Sequence, residues 1–130
     1  MSNKIIKYWK PILIAIVICY GSLTSSSNLN KVNFLAFENI DKLIHFLMYA
    51  ALSLLFFIAL RKNSRFKRKE QIIITLILVI SYGLIMEVFQ FYFTNDRSAE
   101  LIDAFANILG SLFGLLIFPI FYKLNLIKYL

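Results

Sequence analysis

Apolar residues in this chain fall into long unbroken runs separated by short charged stretches. The first run is Pro11 to Tyr20, flanked by Tyr8, Trp9 and Gly21. With Lys7 and Lys10 snorkelling, Ile5 to Leu23 crosses a bilayer as about 19 residues. The second run is Leu43 to Leu60, the third Ile72 to Phe93, and the fourth Leu101 to Tyr122 with Pro119 near its end. At about 1.5 Å per residue these lengths suit roughly 30 Å of hydrocarbon. The runs are continuous rather than alternating, so the spanning elements are helices and not barrel strands. The pattern predicts an all-α membrane protein with four transmembrane helices in one domain, residues 1–130.

Composition agrees. The chain has 130 residues, 60% hydrophobic and 16% charged. Soluble domains are about 45–50% apolar and about 25% charged. A soluble core of this size has too little interior for so much Leu, Ile and Phe. The single cysteine, Cys19, forms no internal disulfide and reads as a small packing residue. The N-terminus also has the outline of a cleaved signal peptide, with lysines, a short apolar core and small residues after it. It lacks a clean A-x-A site, and a retained helix is the preferred reading.

The net charge of +7 hides an asymmetry. Lys4, Lys7, Lys10, Arg61, Lys62, Arg65, Lys67, Arg68, Lys69, Lys123 and Lys128 fall on one side, with Glu70 the only acid. The other side has Lys31, Lys42 and Arg97. Basic loops stay cytoplasmic, so both termini are expected inside. The basic loops meet anionic lipid rather than nucleic acid.

This orientation gathers the remaining acids, Glu38, Asp41, Glu87, Asp96, Glu100 and Asp103, at the outer ends of the helices. Asp41, His45 and Tyr49 recur at i, i+4 and i+8 and form one stripe, with Asp41 also suited to the helix start. Gly83, Glu87 and Gln90 share a face of the third helix, as Asp103, Asn107, Gly110 or Ser111, and Gly114 do on the fourth. Glu87 and Asn107 each lie roughly 9 Å from a helix end. Three helices thus supply polar groups to one outer layer beneath Arg97. Intramembrane polar residues face bundle interiors or cavities, and a carboxylate at this depth needs a partner or a proton. His45 and Arg97 are the natural partners of Glu87.

The bland alternative is a structural network in which Gln90 and Asn107 join helices and the glycines serve packing. No phosphate loop, CxxC, HExxH or GxSxG occurs, and Ser98 is the only serine near enough in sequence to propose beside His45. No cofactor is expected. A divalent site of His45, Glu87 and Asp103 is compatible in ligand type but is not the preferred reading, which has no metal.

These motifs resemble the VanZ-like family of small bacterial membrane proteins. The resemblance runs through Asp41-Lys42-x-x-His45-Phe46 with Tyr49, then Gly83 with Glu87-x-x-Gln90, then Arg97, Asp103, Asn107, Gly110 and Gly114. One departure is Asn95-Asp96 before Arg97, where the family often has Gly. The resemblance implies a protein of the bacterial cytoplasmic membrane. The family's namesake is associated with lowered susceptibility to teicoplanin, a lipidated glycopeptide that acts on cell-wall precursor.

The reading that follows is an outward site that binds or modifies an amphiphile such as a lipid head group, a lipid-linked wall precursor or a lipoglycopeptide. Glu87 acts as acid or base, His45 is its partner oriented by Asp41, and Arg97 holds a phosphate or carboxylate. Gln90, Asp103, Asn107 and Tyr49 position the ligand. The rival is a small oligomeric proton-coupled exporter or channel. It is disfavoured because no inner-half polar residue is expected to continue a path across helices two to four. A third possibility is a non-enzymatic structural role.

Overall fold

The computed structural model describes residues 7–23, 40–94, 101–128 and 130. They form helices α1 (Trp9–Leu23), α2 (Ile40–Asn63), α3 (Arg68–Phe93) and α4 (Leu101–Lys123), followed by a 3-10 turn at Leu126–Lys128. No strand occurs among the described residues. Three helices, α2, α3 and α4, are long and apolar enough to cross a membrane. The fourth, α1, is apolar but has 15 residues, or roughly 22 Å at 1.5 Å per residue.

The helices outrun their apolar stretches because charged ends suit the helix dipole. In α2, Asp41 lies in the first turn and Arg61 and Lys62 in the last. Before α3, the backbone N–H of Lys67 donates to Glu70 Oε2 at 2.8 Å, satisfying a donor that the helix itself leaves open. Thr94 ends α3 by donating its N–H and its hydroxyl to the Gln90 carbonyl, at 3.1 and 2.7 Å. Pro119 lies inside α4, one turn from its end. Asn125, with φ of 57°, then turns the chain back.

Contacts between helices fix their directions. Tyr8 meets Phe56, the Tyr82 hydroxyl donates to the Ala15 carbonyl, and Gln90 donates to the Ser22 carbonyl. Gly110 lies against Phe46, Gly114 against Ala50, and Phe118 against Phe57. Helices α1 and α3 therefore run one way and α2 and α4 the other.

The most extensive interface joins the parallel pair α2 and α4. A Cβ added at Gly110 would overlap the Phe46 carbonyl, and one at Gly114 the Ala50 carbonyl. Small residues let two backbones approach this closely where lipid gives no hydrophobic drive for association. Ser53 adds a hydrogen bond across the same seam, donating to the Ser111 carbonyl at 2.7 Å.

Two apolar clusters fill the bundle. One joins Ile18, Tyr49, Leu52, Val79 and Met86, with Cys19 packed against it. Cys19 thus sits among apolar neighbours, as its sequence context indicates. The other joins Leu54, Phe57, Ile58 and Phe118 at the basic end, where Ile127 and Leu130 of the tail fold back onto it. Lys62 holds that tail by donating to the Ile127 carbonyl at 2.7 Å. The outer faces of the helices remain apolar, as with Leu47, Ile77, Leu84, Leu109 and Leu116.

One expectation needs correction. The middle and the basic half of the bundle do bury polar side chains: Ser53, Ser111, Thr75 and Gln71. Ser111 and Thr75 donate to carbonyls four residues back in their own helices, each at 2.7 Å. Gln71 donates to Ser64 Oγ and to the Phe66 carbonyl at the start of α3. A hydroxyl satisfied by its own helix can be buried cheaply, so an apolar run conceals it.

Candidate functional site

At the end opposite the basic loops, α2, α3 and α4 each contribute one polar side chain to a continuous line. His45 stands in the second turn of α2. Its Nδ1 is 3.0 Å from Asn107 Oδ1 of α4. Asn107 Nδ2 donates in turn to Glu87 Oε1 of α3, at 3.1 Å. His45 Nδ1 and Glu87 Oε1 are themselves 3.8 Å apart. All three side chains are less than a tenth exposed. Among buried groups, such hydrogen bonds are electrostatically strong and leave little freedom of orientation.

The amide of Asn107 gives this line a direction. Its Nδ2 can only donate, and here it faces a carboxylate oxygen that accepts. Its Oδ1 accepts, so His45 Nδ1 carries the proton in this arrangement. A neutral imidazole so fixed has its lone pair on Nε2, the nitrogen that acts as base or acceptor. Nε2 makes no hydrogen bond among the described residues.

Tyr49 lies one turn further along α2 with its ring parallel to that of His45, the centroids 6.5 Å apart. Gly83 makes space for it: a Cβ there would stand 3.0 Å from Tyr49 Cε1 and 3.3 Å from Asn107 Cβ. The Tyr49 side chain is buried, and its hydroxyl has no hydrogen-bond partner among the described residues.

A second row of charges lies nearer the helix ends. Lys42 Nζ is 3.1 Å from Asp41 Oδ2 and 3.7 Å from Asp103 Oδ1. Lys42 thus draws the start of α2 toward the start of α4. The sequence marks Lys42 as an outer-side basic residue and a member of the family motif, without a role in the site. Its place beside Asp41 gave the signal, but the reach to Asp103 depends on packing.

Of the sequence candidates, the structure brings together His45, Glu87, Asn107 and Tyr49. Asp103 is buried alongside, in the row with Lys42 and Asp41. Two residues take other partners. Asp41 pairs with Lys42 and makes no contact with His45, whose Nδ1 is oriented by Asn107 instead. Gln90 is buried, but its amide donates to the Ser22 carbonyl at 3.1 Å and ties α3 to α1. Arg97 and Ser98 lie outside the described residues. Among the described residues, no group of three or more His, Cys, Asp and Glu side chains converges to hold a metal.

A family model described as VanZ/LLP1 matches residues 4–122. The chain belongs to the VanZ/LLP1 family. No curated protein and no solved structure matches it. In this VanZ/LLP1 chain, the sequence motifs that suggested the family acquire physical roles. The residues of Asp41-Lys42-x-x-His45 divide between the outer charge row and the buried line. Gly83 and Glu87 supply a space and an acceptor on α3. Asn107, Gly110 and Gly114 supply the bridging amide and the close seam beneath it.

Proposed function

We propose that this VanZ/LLP1 membrane protein spans the bacterial cytoplasmic membrane four times, with both termini inside, as one domain of residues 1–130. The basic residues at one end support the orientation. The hydrogen bonds from Tyr82 and Gln90 to α1 support a retained first helix. The polar end then faces outward. There the protein binds an amphiphilic envelope ligand, such as a lipid-linked wall precursor or a lipoglycopeptide. This reading connects it to the family association with lowered teicoplanin susceptibility.

The observation that carries this reading is the line His45–Asn107–Glu87 across three helices. It orients an imidazole whose ring lies parallel to that of Tyr49, a residue with a buried hydroxyl that has no hydrogen-bond partner among the described residues. Leaving a buried hydroxyl unmatched costs about 1–3 kcal/mol, an expense that a bound ligand or water relieves. An imidazole backed by a carboxylate through an amide can accept and return a proton, so acid–base work on the ligand lies within the chemistry of the site. Glu87 and Asn107 orient and balance the imidazole. Asp103 and Asp41, held by Lys42, form the rim, and Arg97 supplies a cation for a phosphate or carboxylate.

The test is teicoplanin binding and teicoplanin susceptibility in Glu87→Gln and His45→Ala variants that retain the wild-type helical spectrum and melting temperature. Loss of both properties in folded variants is expected. Wild-type behaviour in both variants would contradict the proposal.

One observation favours a second reading, a proton-coupled exporter. Ser111 and Ser53 continue the polar line toward the middle of the bundle. Their hydroxyls donate to backbone carbonyls, which supports packing more than conduction. Proton or antibiotic flux in proteoliposomes that depends on Glu87 would reverse this order.

A further inference from the structure

The link between α2 and α3 is four residues long, 64–67. Both helices are long and apolar enough to cross a membrane, so a link this short holds its side chains at the level of the head groups. Arg65, Lys67, Arg68 and Lys69 stand in or beside it, all exposed. None of the four is ion-paired among the described residues. Phe66 lies between Arg65 and Lys67 and is 53% exposed. The nearby acid, Glu70, accepts the backbone N–H of Lys67 at 2.8 Å.

The backbone that carries these side chains is held from inside the bundle. Gln71 is buried in the first turns of α3. Its Nε2 donates to Ser64 Oγ at 3.2 Å and to the Phe66 carbonyl at 2.9 Å. The Ser64 N–H donates to the Leu60 carbonyl at 2.9 Å and so continues α2 into the link. Gln71 thus fixes both ends of the Ser64–Phe66 segment and leaves the Phe66 ring outside. Positive charge by itself orients a membrane chain and needs no fixed loop shape. A ring at the membrane boundary enters between head group and acyl chain, while cations beside it meet anionic head groups.

We infer that residues 64–69 form a preshaped docking surface for anionic phospholipids of the leaflet at this end. Arg65, Lys67, Arg68 and Lys69 meet the head groups, Phe66 seats its ring among the first acyl carbons, and Gln71 holds the backbone that presents them together. The partner is anionic because the exposed charge here is cationic and not ion-paired. It is a lipid rather than a soluble polyanion because an exposed apolar ring stands among the cations. The surface lies at the opposite end from the His45 line and does not rest on the function proposed for that line.

The experiment is native mass spectrometry of the full chain released from detergent containing equal amounts of phosphatidylglycerol and phosphatidylcholine. A detergent micelle has no sides, so lipid selection is read apart from the orientation of the chain. The wild type is expected to retain phosphatidylglycerol at least about tenfold over phosphatidylcholine. Arg65→Gln/Lys69→Gln is expected to bring the two lipids near parity. Lys123→Gln/Lys128→Gln removes two exposed cations from the same end and is expected to keep the wild-type preference. Phe66→Ala and Gln71→Met change no charge, and each is expected to lower the preference about threefold. If Gln71→Met does not fold, Ser64→Ala tests the same hold by removing one of its acceptors. Equal retention of the two lipids by the wild type would overturn the inference. So would a full preference in either Phe66→Ala or Gln71→Met, or an equal loss in the two double variants, because charge count alone would then explain the selection. Release of the bound lipid by a short single-stranded oligonucleotide would assign the surface to a soluble polyanion and equally overturn it.

Discussion

The two ends of this bundle bury their interiors by different chemistry. At the basic end, Leu54, Phe57, Ile58 and Phe118 pack together, the two rings edge to face, and the tail folds Ile127 and Leu130 over them. The described charged side chains there all remain at least partly exposed. At the opposite end, an imidazole, an amide and a carboxylate are buried and bonded to one another. The same four helices make both ends, so the bundle itself does not require buried ionisable groups. Apolar residues of similar shape often serve stability as well as a buried ionic network does, or better. Under the proposed function, the polar end is retained for its ligand rather than for holding the helices together.

That contrast can be broken at its base. Gly114→Leu drives a side chain into the Ala50 carbonyl and separates α2 from α4, on which both ends depend. It is expected to cost about 3 kcal/mol or more and to remove the cooperative thermal transition in detergent. Phe57→Ala acts on the basic end alone. Loss of its buried ring, which lies 4.8 Å from that of Phe118, should cost about 3–5 kcal/mol while leaving ligand binding intact in the folded fraction. Denaturant unfolding followed by circular dichroism, with binding measured below the transition, separates the two effects.

Asn107→Leu acts on the polar end alone. It deprives Glu87 of one donor and His45 of its acceptor, and should cost about 2–3 kcal/mol. The side-chain ¹⁵N signals of His45, the chain's single histidine, should then lose the Nδ1-protonated pattern that Asn107 imposes. Gly83→Ala places a methyl 3.0 Å from Tyr49 Cε1 and should cost about 1 kcal/mol as the ring shifts. It sharpens the comparison, because it perturbs the site and not the basic end. The smallest effect is expected for Lys62→Ala. Its bond to the Ile127 carbonyl is exposed and should be worth about 0.5 kcal/mol or less, measured as a slight drop in melting temperature.

Much of this contrast was legible in the sequence. Runs such as Ile72 to Phe93 mark a hydrocarbon-length helix whatever its neighbours are. Gly110 and Gly114, four residues apart, announced a close helix contact, although the partner helix could not be read from one strand of sequence. The polar layer was legible because Glu87, His45 and Asn107 stand at similar depths in separate apolar runs. Partner choice was not. Asp41 and His45 share a helix face by spacing, yet a side chain at the helix start can turn to its neighbour Lys42 while His45 meets another helix. Gln90 shares a face with Glu87, but the rotation of α3 delivers it to α1. Ser53 and Thr75 escaped notice because a single hydroxyl barely alters an apolar run and can bond to a backbone carbonyl.

The central claim is that the polar end is a ligand site and the basic end a packed core. Titrating teicoplanin against the wild type, Glu87→Gln and Phe57→Ala, each in lipid nanodiscs with its melting temperature recorded, tests it most directly. Glu87→Gln is expected to melt close to wild type yet bind at least about tenfold more weakly, a difference of roughly 1.4 kcal/mol. Phe57→Ala is expected to melt much lower yet bind like wild type while folded. Binding that is unchanged in Glu87→Gln, or that falls in both variants only as their stability falls, would contradict it.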